Sequence, residues 1–132
     1  MRPLALAGLW VAIAWIGVAC AVALSLWPGG APLPVHVWDK IEHCVGYFLL
    51  TLWFAGLYPR DRYPRLAVGC LWLGILIELL QGLTPTRTME LGDLAANGVG
   101  VGLALLCALL GAGGWAVGVE RLLGCAPHAA RG

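Results

Sequence analysis

The chain has 132 residues, 61% of them hydrophobic and 11% charged, with 8 Lys+Arg against 7 Asp+Glu for a net charge of +1. A mean hydropathy of +0.86 is more apolar surface than a soluble domain can hide, whereas a bilayer requires no polar coat at mid-depth. The near-neutral balance and the lack of a basic stripe exclude nucleic acid as a partner.

The first apolar run, 4–27, is uncharged and bracketed by Pro3 and Pro28. It exceeds the roughly 7–15 residues of a signal-peptide core, so an uncleaved helix is expected. A short Pro-rich loop, 28–34, follows. The second run, 41–58, is closed by Pro59, and the third, 66–83, lies between Pro64 and Pro85. At about 1.5 Å rise per residue, each of these two covers roughly 27 Å, close to a hydrocarbon core of about 30 Å. The fourth run, 94–119, contains Gly111, Gly113 and Gly114, which loosen its last turns. Nothing alternates with period two, and backbone polar groups in lipid must be satisfied within their own segment. The expectation is an all-α, four-transmembrane-helix bundle forming one domain over 1–132.

Loop charge orients it. Arg2, Arg60, Arg62, Arg65, Arg121 and Arg131 fall on one side of four spans, and Lys40 and Arg87 on the other. The positive-inside rule then puts both termini in the cytoplasm. Trp27 and Trp38 fit an outer aromatic belt, and Tyr58 and Tyr63 an inner one. The five cysteines, Cys20, Cys44, Cys70, Cys107 and Cys125, are scattered singly. They form neither a disulfide framework nor a zinc pattern and read as small apolar filler.

Polar residues gather at the non-cytoplasmic ends of the runs. Asp39, His43 and Tyr47 share a helix face at i, i+4, i+8, with Gly46 on its flank. Gly74, Glu78 and Gln81 make a similar stripe on the third helix; Asp93, Asn97 and Gly100 make one on the fourth. Gly98, Gly100 and Gly102 suit tight packing in lipid. Ionisable groups at membrane depth are costly, so a convergent set marks a site. Asp39, His43, Tyr47, Glu78, Gln81, Arg87, Asp93 and Asn97 are therefore the candidate ligand-binding residues.

Plainer roles compete with that reading. Asp39 with Glu42 resembles a capping box, and Asp93 a plain N-cap. Lys40, Glu42 and Glu90 read as interfacial charges without a special task. Glu78 has no capping role, and its structural alternative is an ion pair with Arg87 or Lys40. Gln81 and Asn97 suit interhelical hydrogen bonds, worth roughly 0.6–2 kcal/mol each. A metal set of Asp39, His43, Glu78 and Asp93 is conceivable, but no spacing demands it and usual zinc sites carry more histidine or cysteine. The sequence therefore implies no metal and no cofactor.

The string Asp39-Lys40-Ile41-Glu42-His43, with Tyr47 and Leu50, resembles the opening signature of the bacterial VanZ-like membrane proteins. Glu78-Leu79-Leu80-Gln81, Arg87 and Asp93-Leu94-Ala95-Ala96-Asn97-Gly98-Val99-Gly100 continue the likeness across roughly residues 36–104. Thr84-Pro85-Thr86 departs from it where a Pro-Gly turn is common. The resemblance implies a small multi-pass protein of the bacterial cytoplasmic (inner) membrane, linked to the cell envelope and glycopeptide-antibiotic resistance. It supplies no mechanism.

Two function classes follow. One is a non-enzymatic factor binding an outer-leaflet lipid-linked or glycopeptide-type ligand, with Arg87 gripping an anionic headgroup and membrane lipid around it. The other is an intramembrane acid/base hydrolase in which Asp39 orients His43 as base and Glu78 is the acid, all three being candidate catalytic residues. The second lacks a nucleophile: Ser25 lies on the first helix, and Cys44 points about 100° from His43. A homo-oligomer is compatible with either.

Overall fold

The computed structural model describes residues 1–27, 36–85 and 89–125. Among these it is all-helical: α1 (Ala7–Ser25), α2 (His36–Leu57), α3 (Tyr63–Gly82), α4 (Leu91–Leu109) and α5 (Trp115–Leu122), with 3-10 turns at Arg60–Arg62 and Ala112–Gly114. Pro59 is extended, and Pro64 sits in the first turn of α3, where a missing N–H costs nothing. The expected helix 94–119 is corrected. It divides at Gly111, whose φ of 132° is open to glycine and unfavourable for other residues. Hydropathy cannot register that break, because apolar residues continue on both sides of it.

Among the described residues three segments are long and apolar enough to cross a membrane: Ala7–Ser25, Arg60–Gly82 and Leu91–Leu109. The 22-residue α2 is not among them; Asp39, Lys40, Glu42 and His43 occupy its first turns. Packing is inverted relative to a soluble domain. Glu78, Gln81, Asp93, Asn97 and Glu120 are buried, while Trp15, Ile16, Leu24, Trp72, Leu76 and Leu106 point outward. Each buried polar group costs free energy unless it is partnered, so most of these residues reach across helices.

Four contacts order the long helices. Lys40 Nζ pairs with Glu90 at 2.9 Å, joining the starts of α2 and α4. Gln81 Nε2 donates to Ser25 O at 2.9 Å, joining the ends of α3 and α1. At the other end Arg2 N donates to Leu57 O at 2.8 Å, and Arg60 Nη2 donates to Leu109 O at 2.9 Å. Neighbours in sequence thus run antiparallel, with a carboxylate-rich end and an arginine-rich end. Tyr63, expected in an aromatic belt, is buried at the arginine-rich end and donates its hydroxyl to Ala55 O at 3.2 Å. A phenol that finds a carbonyl partner does not need the interface.

Of the glycines, Gly100 brings α2 and α4 together: a Cβ there would meet the Cys44 carbonyl oxygen, and Phe48 N at 3.0 Å. Gly46 and Gly102 have nothing within 4 Å, so the close approach expected at Gly46 occurs instead at Gly100. Beyond α4, Trp115 returns to α2. Its indole N–H donates to Leu52 O at 3.1 Å, and its ring packs 4.7 Å from Trp53 and 5.3 Å from Trp10. A Cβ on Gly56 would lie inside the Trp115 ring. Gly56→Ala is therefore expected to expel Trp115, costing about 1–3 kcal/mol. Near-ultraviolet circular dichroism should lose its tryptophan signal together with the fall in Tm; an unchanged spectrum would contradict this packing.

Helix α1 buries only Ala14. Ala7, Trp10 and Val11 pack against the cluster of Leu4, Ala14, Leu57 and Ala116, and polar clamps secure the two ends of the helix. Glu120 on α5 accepts from Ala5 N at 2.7 Å, Leu6 N at 2.8 Å and the Trp10 indole at 2.8 Å. Burial alone would raise the Glu120 pKa, but the Leu6, Ala5 and Trp10 donors outweigh it and hold the carboxyl below its ordinary value.

Candidate functional site

The carboxylate-rich end brings together residues from α2, α3 and α4. Asp39 and His43 are one turn apart on α2, so both face α4. Asp93 and Asn97 are likewise one turn apart on α4. A carboxylate oxygen from each of Asp39 and Asp93 and a ring nitrogen of His43 all lie within 4.8 Å of one another. His43 Nδ1 is 3.0 Å from Asn97 Oδ1. With a proton on Nδ1, that nitrogen donates to the Asn97 carbonyl oxygen.

Glu78 enters from α3 and is fully buried. Its Oε2 accepts the Glu90 backbone N–H at 3.2 Å, while Oε1 has no partner. Asp93, His43 and Asp39 all lie within electrostatic reach of this carboxyl. Asn97 Nδ2 and Tyr47 Oη are likewise buried without partners. A Cβ on Gly74 would come 3.0 Å from Asn97 Nδ2 and 3.3 Å from Tyr47 Oη, so this glycine leaves the room in which both groups sit. Buried polar groups are nearly always hydrogen-bonded. Three unsatisfied groups in one place are a feature that folding alone does not account for.

Several expectations change. Lys40 and Glu90 are not idle interfacial charges: Lys40 Nζ bridges Glu90 and Asp93, the latter at 3.3 Å. Lys40 is thus engaged with Glu90 and Asp93, the alternative in which it pairs with Glu78 not being among the ion pairs of the described residues. Asp93 is not the N-cap of α4; Glu90 holds that position, and Asp93 lies within the first turn. There its carboxylate faces the helix N-terminus, a favourable place for negative charge. Gln81 turns to α1 instead of joining the cluster, as interhelical glue. Arg87 lies outside the described residues, as does the 28–34 loop. The missed residue is Glu120, an isolated carboxylate beside Arg121 in an apolar tail. Its one signal was that isolation.

Fold and site together define an all-helical protein with a buried polar site between three helices. No family model matches the chain, and no solved structure matches it. It is similar to an uncharacterised protein of the fission yeast Schizosaccharomyces pombe, 36% identical over 92 residues, which are 66% of this chain and 57% of that relative. The chain thus spans under two thirds of the relative it matches. These findings overturn the resemblance to the bacterial VanZ-like family: no family model supports it, and the relative is a yeast protein without an assigned activity. The envelope and glycopeptide-resistance readings tied to that family lose their basis with it. The physical reason lies in the motifs. Asp-x3-His and Asp-x3-Asn place polar residues one helical turn apart, which any pair of apolar helices meeting through polar edges requires.

Proposed function

We propose that this chain is a multi-pass membrane protein, with α1 to α4 crossing the bilayer, that binds a polar ligand among α2, α3 and α4. The observation that carries the reading is Glu78, a fully buried carboxylate with one unpartnered oxygen. An ionisable group kept in that state costs stability, and such costs concentrate where function needs them. Among the described residues Asp39, Glu78, Glu90 and Asp93 face Lys40 and His43. The unpartnered carboxylate oxygen of Glu78 favours a ligand that donates a hydrogen bond or carries positive charge. Arg2, Arg60, Arg62, Arg65 and Arg121 at the opposite end place that end in the cytoplasm under the positive-inside rule. The site then opens on the far side.

Two measurements test this. In a cysteine-free background, Asp39→Cys and Asp93→Cys are expected to react with a membrane-impermeant thiol reagent from one compartment, and Arg62→Cys from the other. Glu78→Gln keeps an acceptor for Glu90 N–H and removes the charge, so it is expected to leave Tm unchanged or raise it, as at functional sites that trade stability for activity. A marked fall in Tm would make Glu78 a structural group. Labelling of positions 39 and 93 from opposite sides would end the topology.

A further inference from the structure

We propose that Asp39, His43 and Asp93 bind a divalent transition-metal cation of the manganese(II) class, with Glu78 as an additional carboxylate donor. This rests on the ligand site described above and names its occupant.

The geometry comes first. Ligand atoms around one such ion at about 2.1 Å stand roughly 3.0–3.4 Å apart, or about 4.2 Å when opposite. The three atoms here lie within 4.8 Å of one another, so small side-chain rotations complete the set and no helix has to move. The donors come from two helices whose backbones are locked together at Gly100. The frame is therefore rigid where a metal site needs rigidity.

The second observation is independent of that cluster. Glu78 arrives from a third helix, fully buried, with Oε1 unpartnered; it stands outside the set of atoms within 4.8 Å of one another and joins as a further donor by side-chain movement. Its other oxygen is anchored by the Glu90 amide, three residues before Asp93. A cation satisfies an orphaned carboxylate oxygen without adding a hydrogen-bond donor that the surroundings do not supply.

Asn97 provides the outer-layer contact that metal-bound histidines ordinarily have. In the tautomer protonated at Nδ1, the Asn97 carbonyl accepts from that nitrogen at 3.0 Å, and Nε2 is then the ring atom open to a ligand. The donor chemistry selects the ion. Three carboxylates with one imidazole are harder than the thiolate and multi-histidine sets of zinc or copper, and softer than the all-oxygen cages of calcium. Lys40 bears on the same site: its ammonium contacts Asp93 Oδ1 at 3.3 Å and competes with the metal for that carboxylate.

The test uses the full chain in detergent micelles, stripped with a chelator and titrated with MnCl2 alone. Free Mn2+ is read by electron paramagnetic resonance, alongside thermal unfolding. Mn2+ is expected to bind at one equivalent and to raise Tm by about 5 °C, with Mg2+ at the same concentration giving little shift. His43→Gln and Asp93→Asn should each weaken binding at least about tenfold, as should Asn97→Leu, which acts through the imidazole. Lys40→Gln should bind more tightly than wild type, an outcome that general destabilisation cannot produce. The proposal is overturned if wild type binds no Mn2+, or if binding is indifferent to His43→Gln and Asp93→Asn in protein that remains folded. It is equally overturned if Lys40→Gln weakens binding. Absence of Mn2+ binding alongside an unchanged or raised Tm for Glu78→Gln would reject the metal and leave the polar-ligand site standing.

Discussion

Glu120→Ala is expected to release α1 from the bundle, with a loss of stability on the order of 3 kcal/mol from the N–H donors it leaves without an acceptor. The size of the effect follows from how α1 is held. In lipid, apolar side chains gain little by facing one another rather than acyl chains, so helix association depends on packing and hydrogen bonds. Helix α1 has one buried residue, Ala14, so the carboxylate that takes Ala5 N, Leu6 N and the Trp10 indole carries a large share of its attachment. Glu120→Gln should fall between wild type and alanine, because an amide offers one acceptor oxygen in place of two.

The pH dependence has a definite sign. The folded-state pKa of Glu120 is lowered, so its contribution is fully present above the unfolded value of about 4.3 and is lost as pH falls through the folded value. Wild type and Glu120→Gln should therefore differ most at neutral pH and converge in acid. Thermal unfolding across pH, with protease accessibility of residues 1–6 at the start of α1, checks both statements. A wild-type advantage that grows on acidification would show that the charged carboxylate is not what holds α1.

The second large effect is expected at Gly100. A methyl group there meets main-chain atoms of Cys44 and Phe48 on α2, and main chain inside a helix cannot yield as a side-chain tip can. Helix α4 must move outward, at about 1–3 kcal/mol or more for overpacking. Asn97 lies nearly one turn away, so Gly100→Ala is also expected to break the His43–Asn97 hydrogen bond. Nitrogen-15 NMR of the imidazole reads that directly. Gly102→Ala is the control: nothing lies within 4 Å of it, and alanine favours a helix over glycine by roughly 0.5–1 kcal/mol. Equal Tm values for the two variants would mean that α2 and α4 do not meet at Gly100.

The polar site was partly legible before any coordinates. Asp39 with His43 and Asp93 with Asn97 stand one turn apart at the ends of apolar runs, so sharing faces and an end of the bundle follows from helical geometry alone. Gln81 looked equivalent to them but lies a turn nearer the end of α3, where its amide donates to Ser25 O on α1. Gly98, Gly100 and Gly102 likewise read as one small-residue stripe, yet a single member makes the main-chain contact with α2. The family resemblance failed because short polar motifs on apolar helices repeat wherever helices meet through polar edges.

Composition and periodicity by themselves determined the all-helical class, three of the apolar spans, and that Asp39, His43, Asp93 and Asn97 stand at one end of their helices. These properties depend on each segment's own hydrogen bonds and hydropathy, which local sequence specifies. The tertiary structure alone decided that Lys40 bridges Glu90 and Asp93, that Glu78 keeps an oxygen unpartnered, and that Glu120 clasps α1 across the whole length of the chain. Those contacts depend on the rotation and depth of one helix against another, set by a few close approaches such as Gly100 on α2 and Trp115 on Gly56.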